Sequence, residues 1–381
     1  MLEDILRARR EKLEKLKKSG IEPFPEKSHR SLFIGEALKK FSGLSKSKRK
    51  IVLAGRLIGL RYHGGVIFGD LKDASATIQV LFRRDILSNA FELLQYIDIG
   101  DFIEVEGVLF TTKAGEKTLE SHNFSILVKT LRPLPSSWYG LEDIEERFRK
   151  RYLDILMNSG VYERFSLRSK IVAFLREFLS KNGFIEVETP ILQTLYGGAL
   201  AKPFRTQLDI LHLPLYLRIA PELYLKRLLV AGFEKIYELG RVFRNEGIDR
   251  EHNPEFTMLE LYWAYQDRDG LMKFCETLFS ELISSLKLEK KKNILTYQGR
   301  EINFAQPWKR VSFFKVIKEA IGLEYEKASE SELMRAAEAR GLKFYGIKSK
   351  GKIADEVFKK LVVPEIKDPT FVIDHPVEIS P

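Results

Sequence analysis

Residues Arg241 to Tyr265 read RVFRNEGIDREHNPEFTMLELYWAY. Two alternating runs flank a charged stretch, the pattern of two strands joined by a polar loop. Successive strand side chains point to opposite faces. Extended back a few positions, the first run therefore puts Ile236, Glu238, Gly240, Val242 and Arg244 on one side, with Tyr237, Leu239, Arg241 and Phe243 on the other. In the second run, Phe256, Met258, Glu260 and Tyr262 share a face, and Thr257, Leu259, Leu261 and Trp263 lie behind them. The latter set is a packing face. The former, with Arg244, loads one surface with a cation, a carboxylate and two aromatics, which a sheet serving only as a core does not need.

At 381 residues, the chain is long enough for two domains of about 150 residues each. Its hydrophobic content of 44% is that of a soluble globular protein. A net charge of +10 and a pI near 9.3 point to a polyanionic partner such as nucleic acid, with plain solubility as the alternative. Cys275 is the only cysteine, so no intramolecular disulfide and no thiolate zinc site can form. The six histidines lack metal-ligand spacing. No segment resembles a signal peptide, and no apolar run nears the ~20 residues that span a bilayer. These features predict a cytoplasmic protein with no membrane partner.

Working outward, residues 1–19 read as a helix with Leu2, Ile5, Leu6, Leu13 and Leu16 on a stripe. Arg7, Arg9, Arg10, Lys12, Lys15, Lys17 and Lys18 make it basic, which predicts a solvated face or an accessory nucleic-acid contact. From Ile51 the segments IVLAGRLIGL, GVIFGDLKD, ATIQVLF and DFIEVEGVLF, with a further strand after Gly115, predict five strands. A helix is expected over Asp85–Tyr96. Five strands with that insertion suggest an OB-fold, whose open face binds single-stranded nucleic acid through aromatic platforms. Leu131-Arg132-Pro133-Leu134-Pro135 is a stiff linker. Arg164 to Asn182 then forms an amphipathic helix that leads into a strand, Phe184–Glu188. The expected organisation is a basic extension (1–50), the barrel (51–133), a linker (134–160) and a second domain (161–381). Lysine-rich patches at 46–50 and 290–292 read as loops.

FRNE (243–246), HNPEFT (252–257) and Glu260 resemble motif 2 of the class II aminoacyl-tRNA synthetases. RIAPELYLKRL (218–228) with Tyr262, Ala264 and Tyr265 resembles the lysine-specific branch, and the helix–strand–proline unit ending at Pro190 resembles motif 1, which builds a dimer interface. The resemblance implies an α+β protein, an OB-fold anticodon-binding domain followed by an antiparallel-sheet catalytic domain. It implies a ligase that joins lysine to tRNA(Lys) through lysyl-adenylate, with ATP as substrate, Mg²⁺ as cofactor and a homodimer as the assembly.

Residue by residue, the resemblance assigns ATP to Arg244, Glu246, His252, Asn253 and Phe256, with Arg244 catalytic. Lysine goes to Gly198, Glu222, Arg244 and Tyr262, and the anticodon to Phe68 and Gln79. The chemistry fits. Two anions must meet when a carboxylate attacks the α-phosphorus, and an arginine fork can hold both. A carboxylate with an aromatic wall suits an ammonium on an apolar stem. The bland alternatives are a salt bridge from Arg244 to Glu238 or Glu260, a helix-dipole role for Glu222, and core packing for Phe68.

The sequence also departs from the family pattern. Leu200 and Lys202 stand where alanine and arginine are usual, and Asn123 falls where an acidic anticodon contact is expected. Motif 3, G-x-G-x-x-R, does not occur. The family's Mg²⁺ ligands accompany that motif, so none is expected in these 381 residues. The expectation is a chain that stops before motif 3 and is inactive alone. The alternatives are an aspartate- or asparagine-specific relative, or a non-catalytic tRNA-binding paralogue.

Overall fold

A computed structural model describes residues 2–135, 143–158, 160–249, 252–344 and 349–380, and the chain divides into two compact units, residues 1–161 and 162–381.

In the first unit, helices α1 (Leu2–Lys18), α2 (Ile34–Lys39) and α3 (Phe41–Ser47) precede strands β1 (Ile51–His63), β2 (Val66–Lys72) and β3 (Thr77–Arg83). A short helix α4 (Arg84–Leu87) and a 3₁₀ segment (Ser88–Tyr96) lead to β4 (Phe102–Thr111) and β5 (Lys117–Val128). The strands close into a barrel in the order β1-β2-β3-β5-β4, antiparallel except for the β3–β5 pair. Alternation drives closure: Ile67, Leu71, Ile78, Val80 and Phe82 point inward and are buried.

The continuous helix expected over Asp85–Tyr96 is instead α4 followed by the 3₁₀ segment. Ser88, with φ of 49°, breaks the α-helix. A repeat near three residues per turn then brings Phe91 and Leu94 onto one buried face.

The basic helix α1 is not solvated throughout. Leu13 and Leu16 are buried as its stripe predicts, but so is Arg9, while Leu2 and Ile5 are exposed. Arg9 donates to the Ile99 carbonyl at 2.9 Å and the Thr130 hydroxyl at 3.0 Å. Lys12 reaches Asp98 at 2.6 Å, and the fully buried Lys129 bridges Asp98 (2.5 Å) and Asp101 (2.7 Å). Leu16, Ile34, Ala37 and Phe41 join the barrel's own core, so the first 50 residues complete this unit.

Lys46 and Ser47 lie near or at the end of α3 and not in a loop, because the chain must turn sharply into β1. The expected linker carries two helices, α5 (Ile144–Arg149) and α6 (Arg151–Met157), beyond residues 136–142 and short of Ser159, which lie outside the described residues. Asp143 caps α5, and buried Asp154 receives Arg147 at 2.7 Å.

The second unit begins with α7 (Val161–Lys181), then β6 (Ile185–Glu186) and β7 (Leu192–Gln193). Next come β8 (Arg205–Leu208), β9 (Leu213–Leu217) and α8 (Glu222–Val230), followed by β10 (Lys235–Phe243), β11 (Glu255–Trp263) and α9 (Arg268–Ser285). β10 and β11 pair antiparallel, and β6 runs parallel beside β10. Their apolar face (Tyr237, Leu239, Leu259, Leu261, Trp263) packs on Phe178 and Leu179 of α7 and Phe274 of α9. Burying that row against two helices leaves the opposite face of the hairpin for polar chemistry.

β12 (Glu289–Lys291), β13 (Ile294–Tyr297) and β14 (Arg300–Asn303) form a small sheet, so Lys290 and Lys291 are on a strand, held by pairing with β13. β15 (Lys309–Ser312) leads to α10 (Phe313–Ile321), α11 (Glu330–Glu338), α12 (Lys350–Val357) and β16 (Thr370–Ile373). β15 and β16 pair in parallel beside a separate core built on Phe313, Ile317, Leu333 and Ile353.

Candidate functional site: the polar face of the β10–β11 hairpin

Cross-strand pairing sets this face. Ile236 lies opposite Tyr262, Glu238 opposite Glu260, Gly240 opposite Met258 and Val242 opposite Phe256. Directly opposed residues share a side of the sheet, so two carboxylates face each other there. A third arrives on α8: Glu222, its first residue, is near enough to act on both Glu260 and Tyr262. Burial raises the Glu260 carboxyl above its ordinary range; the Glu222 and Glu238 charges raise it further, and Arg218 and Arg244 only partly oppose them. Burial likewise pushes the Tyr262 hydroxyl well up, with help from Glu260 and Glu222.

Arg244 lies one residue past β10, where its N–H donates to the Pro254 carbonyl at 2.8 Å. Its guanidinium carbon is 5.2 Å from the centre of the Phe256 ring. Its Nε is buried and has no hydrogen-bond partner among the described residues. The anticipated alternative, a bridge from Arg244 to Glu238, is not made, because Arg218 holds that carboxylate.

Arg218 follows β9 and is buried, as is Glu238. Its Nη1 bonds Glu238, its Nε donates to the Arg241 carbonyl at 2.8 Å, and the Thr189 hydroxyl donates to the other Glu238 oxygen at 2.7 Å. Gly240 makes room: a Cβ there would collide with the Arg218 guanidinium. Sequence reading missed this pair. Arg218 opens the quoted RIAPELYLKRL, but nothing local marks a partner 20 residues on.

Gly198 sits at φ of 85° against Ala220 and Glu222, a position no side chain can share. Glu222 accepts from Lys226 at 2.6 Å, one turn along α8. It therefore occupies the helix's first turn, as the bland reading had it, and also faces Gly198 and the hairpin. The structure thus brings Gly198, Glu222, Tyr262, Arg244 and Phe256 to one region. Glu246, His252 and Asn253 do not join it; they are exposed on the loop, where Asp249 accepts from the His252 N–H at 2.7 Å. Arg250 and Glu251 of that loop lie outside the described residues.

On the barrel, Phe68 (β2) and Gln79 (β3) both point away from the core. Phe68 meets the His63 ring edge-on at 6.2 Å, and the Thr118 hydroxyl donates to the Gln79 side-chain oxygen at 2.9 Å. Asn123 belongs elsewhere. It pairs with Glu106 beside a bulge, and its side chain accepts from the Phe124 N–H at 2.9 Å. The acid in register with Phe68 is Glu120, through Leu81 of β3. The irregular pairing of β4 with β5 hid that register from the sequence.

The family described as tRNA synthetases class II (D, K and N) matches residues 143–381, and the OB-fold nucleic acid binding domain matches residues 51–134. A lysine–tRNA ligase of Pelotomaculum thermopropionicum is 45% identical over 391 residues, covering 100% of this chain and 75% of that protein. One from Carboxydothermus hydrogenoformans is 46% identical over 384 residues, covering 100% and 77%. One from Roseiflexus is 44% identical, covering 100% and 78%.

Proposed function

The chain belongs to the class II tRNA synthetases of the D, K and N group, and from that premise we propose that it activates lysine with ATP and passes the lysyl group to the 3′ end of tRNA(Lys). The observation that carries the choice of amino acid is the convergence of Glu222 and Glu260 beside Tyr262. Lysine brings two ammonium groups, one for each carboxylate, and its methylenes suit an aromatic wall. Aspartate would place a third negative charge among these acids, and asparagine would leave one carboxylate unpaired.

In this reading Glu222 and Tyr262 receive the ε-ammonium and Gly198 lets the backbone approach the substrate. Arg244 draws the lysine carboxylate and the α-phosphate together. The carboxylate oxygen bonds to the α-phosphorus, the bond to the pyrophosphate oxygen breaks, and lysyl-adenylate forms. A ribose hydroxyl of the tRNA then attacks the acyl carbon and AMP leaves. The unpartnered Nε of Arg244 supports its role, since a buried donor without a partner is costly unless a ligand supplies one. Phe256 would stack on adenine, and Glu246, His252 and Asn253 would meet the ATP from the loop.

Mg²⁺ would travel with the ATP. Among the described residues no group of three or more His, Cys, Asp or Glu could hold a metal ion. Phe68 and Gln79 would read the anticodon. A homodimer through α7 and β6 fits the exposed Tyr162, Phe165 and Ile185, and a cytosolic setting fits the lone Cys275.

The test is calorimetric binding of non-hydrolysable sulfamoyl analogues of lysyl-, aspartyl- and asparaginyl-adenylate. Preference for the lysyl analogue by more than about tenfold is expected. Equal binding, or preference for another analogue, would overturn the assignment.

A further inference from the structure

Three carboxylates and two guanidinium groups meet on the hairpin face, and their pairing is unequal. Glu238 is bonded on both oxygens, by Arg218 and by Thr189. Arg218 is itself anchored by the Arg241 carbonyl and fills the space Gly240 leaves. Glu260, directly across the sheet, shares neither partner. Among the described residues Glu222 is paired with Lys226, whose ammonium is exposed at the end of a long chain.

We propose that Arg218 is a positioning residue that apportions charge on this face: by holding Glu238 in a buried ion pair it leaves Glu222 and Glu260 as the two carboxylates open to ammonium groups. The proposal rests on the reading of this face as the seat of the amino acid. The physical reason is repulsion. Two ionised carboxylates directly opposed on a sheet oppose each other's ionisation, and one would keep a proton. A protonated Glu260 would bind an ammonium poorly. With Arg218 in place, the Glu238 charge is partly offset within its own pair, and its opposition to an ionised Glu260 is weakened.

The groups facing Glu260 are Glu222 from α8, Glu238 from β10, Arg218 after β9, Arg244 after β10 and Tyr262 on its own strand. Of these, only the Arg218–Glu238 pair can be altered without touching a proposed substrate contact.

The experiment follows the Glu260 carboxyl directly, by carbon-13 NMR titration of the full chain without ligand, assigned with Glu260→Gln. Glu238→Gln keeps the shape and the Thr189 contact but frees the Arg218 charge, so the Glu260 midpoint should fall by more than about half a pH unit. Arg218→Met should raise it, and Arg218→Met with Glu238→Gln should bring it back to the parent value or below, since Glu238 acts on Glu260 more strongly than Arg218 does. An unmoved midpoint in folded Glu238→Gln overturns the proposal, whether or not Arg218→Met folds. Lysine binding is measured separately: midpoints that move as stated in a chain blind to lysine would fault the amino-acid reading alone.

Discussion

A Cβ added to Gly198 would lie 2.8 Å from the Cβ of Glu222, nearer than real side chains approach. The contact locks the 195–200 loop against the first turn of α8 at a backbone angle that favours glycine. Gly198→Ala should therefore weaken lysine binding by more than about tenfold, consistent with about 1–3 kcal/mol of local strain. The thermal midpoint should move little, because the loop is largely exposed. Unchanged lysine affinity by calorimetry would show that the loop does not shape the site.

Glu222→Gln removes one charge and keeps the volume. Lysine affinity should fall about 10- to 100-fold, the range of a charge-assisted hydrogen bond worth about 1.5–3 kcal/mol. Because Lys226 loses its partner too, a Lys226→Met control separates the two effects. Affinity should survive that control.

Arg244→Ala should leave folding stability within about 1 kcal/mol of the parent in urea melts, since no hydrogen bond to its Nε is lost. The same change should abolish measurable binding of the lysyl-adenylate analogue. A large loss of stability would reveal a structural role instead.

On the barrel, Phe68→Ala should cost about 1–3 kcal/mol in binding an anticodon stem-loop RNA, the usual size of one base stacked on an aromatic ring. Gln79→Ala should relax base preference more than affinity, and Glu120→Gln should do the same if its register with Phe68 matters. Both Phe68 and Gln79 face outward, so barrel stability should hold. Fluorescence anisotropy with matched and altered loops reads both quantities.

Acid should loosen the first unit. Burial alone would raise the Asp98 carboxyl, but the Lys12 and Lys129 ammonium groups outweigh it and hold it below its ordinary range. A group whose folded pKa is depressed stabilises above its unfolded pKa, and that contribution fades as pH falls through the folded value. Asp98→Asn should therefore cost about 1–3 kcal/mol near neutral pH, with the deficit shrinking as pH falls below the ordinary carboxylate range and through the depressed folded value. A deficit constant with pH would rule out the charge as its source.

How much of this was legible in the chain depends on range. The faces of β10 and β11, the five barrel strands and helix α7 follow from alternation and helical spacing, which neighbouring residues carry. So do Glu222 and Tyr262 as candidates, once the surrounding motifs are seen. The 3₁₀ segment was not legible, because a single left-handed Ser88 decides it. Arg9 was misplaced for a different reason. Its charge suggested solvent, but its acceptors are carbonyl and hydroxyl groups roughly 90 to 120 positions away.

By itself, then, the sequence determined the two domains, the family they belong to and the residue types on the hairpin face, because each is written in local pattern and contiguous motif. Only the tertiary structure decided which acid keeps its charge available. Arg218 comes from one loop, Glu238 and Glu260 from two paired strands and Glu222 from a helix, and Coulomb interactions fall with distance in space, not along the chain. The opposition of Glu238 and Glu260 exists only once β10 and β11 pair in that register.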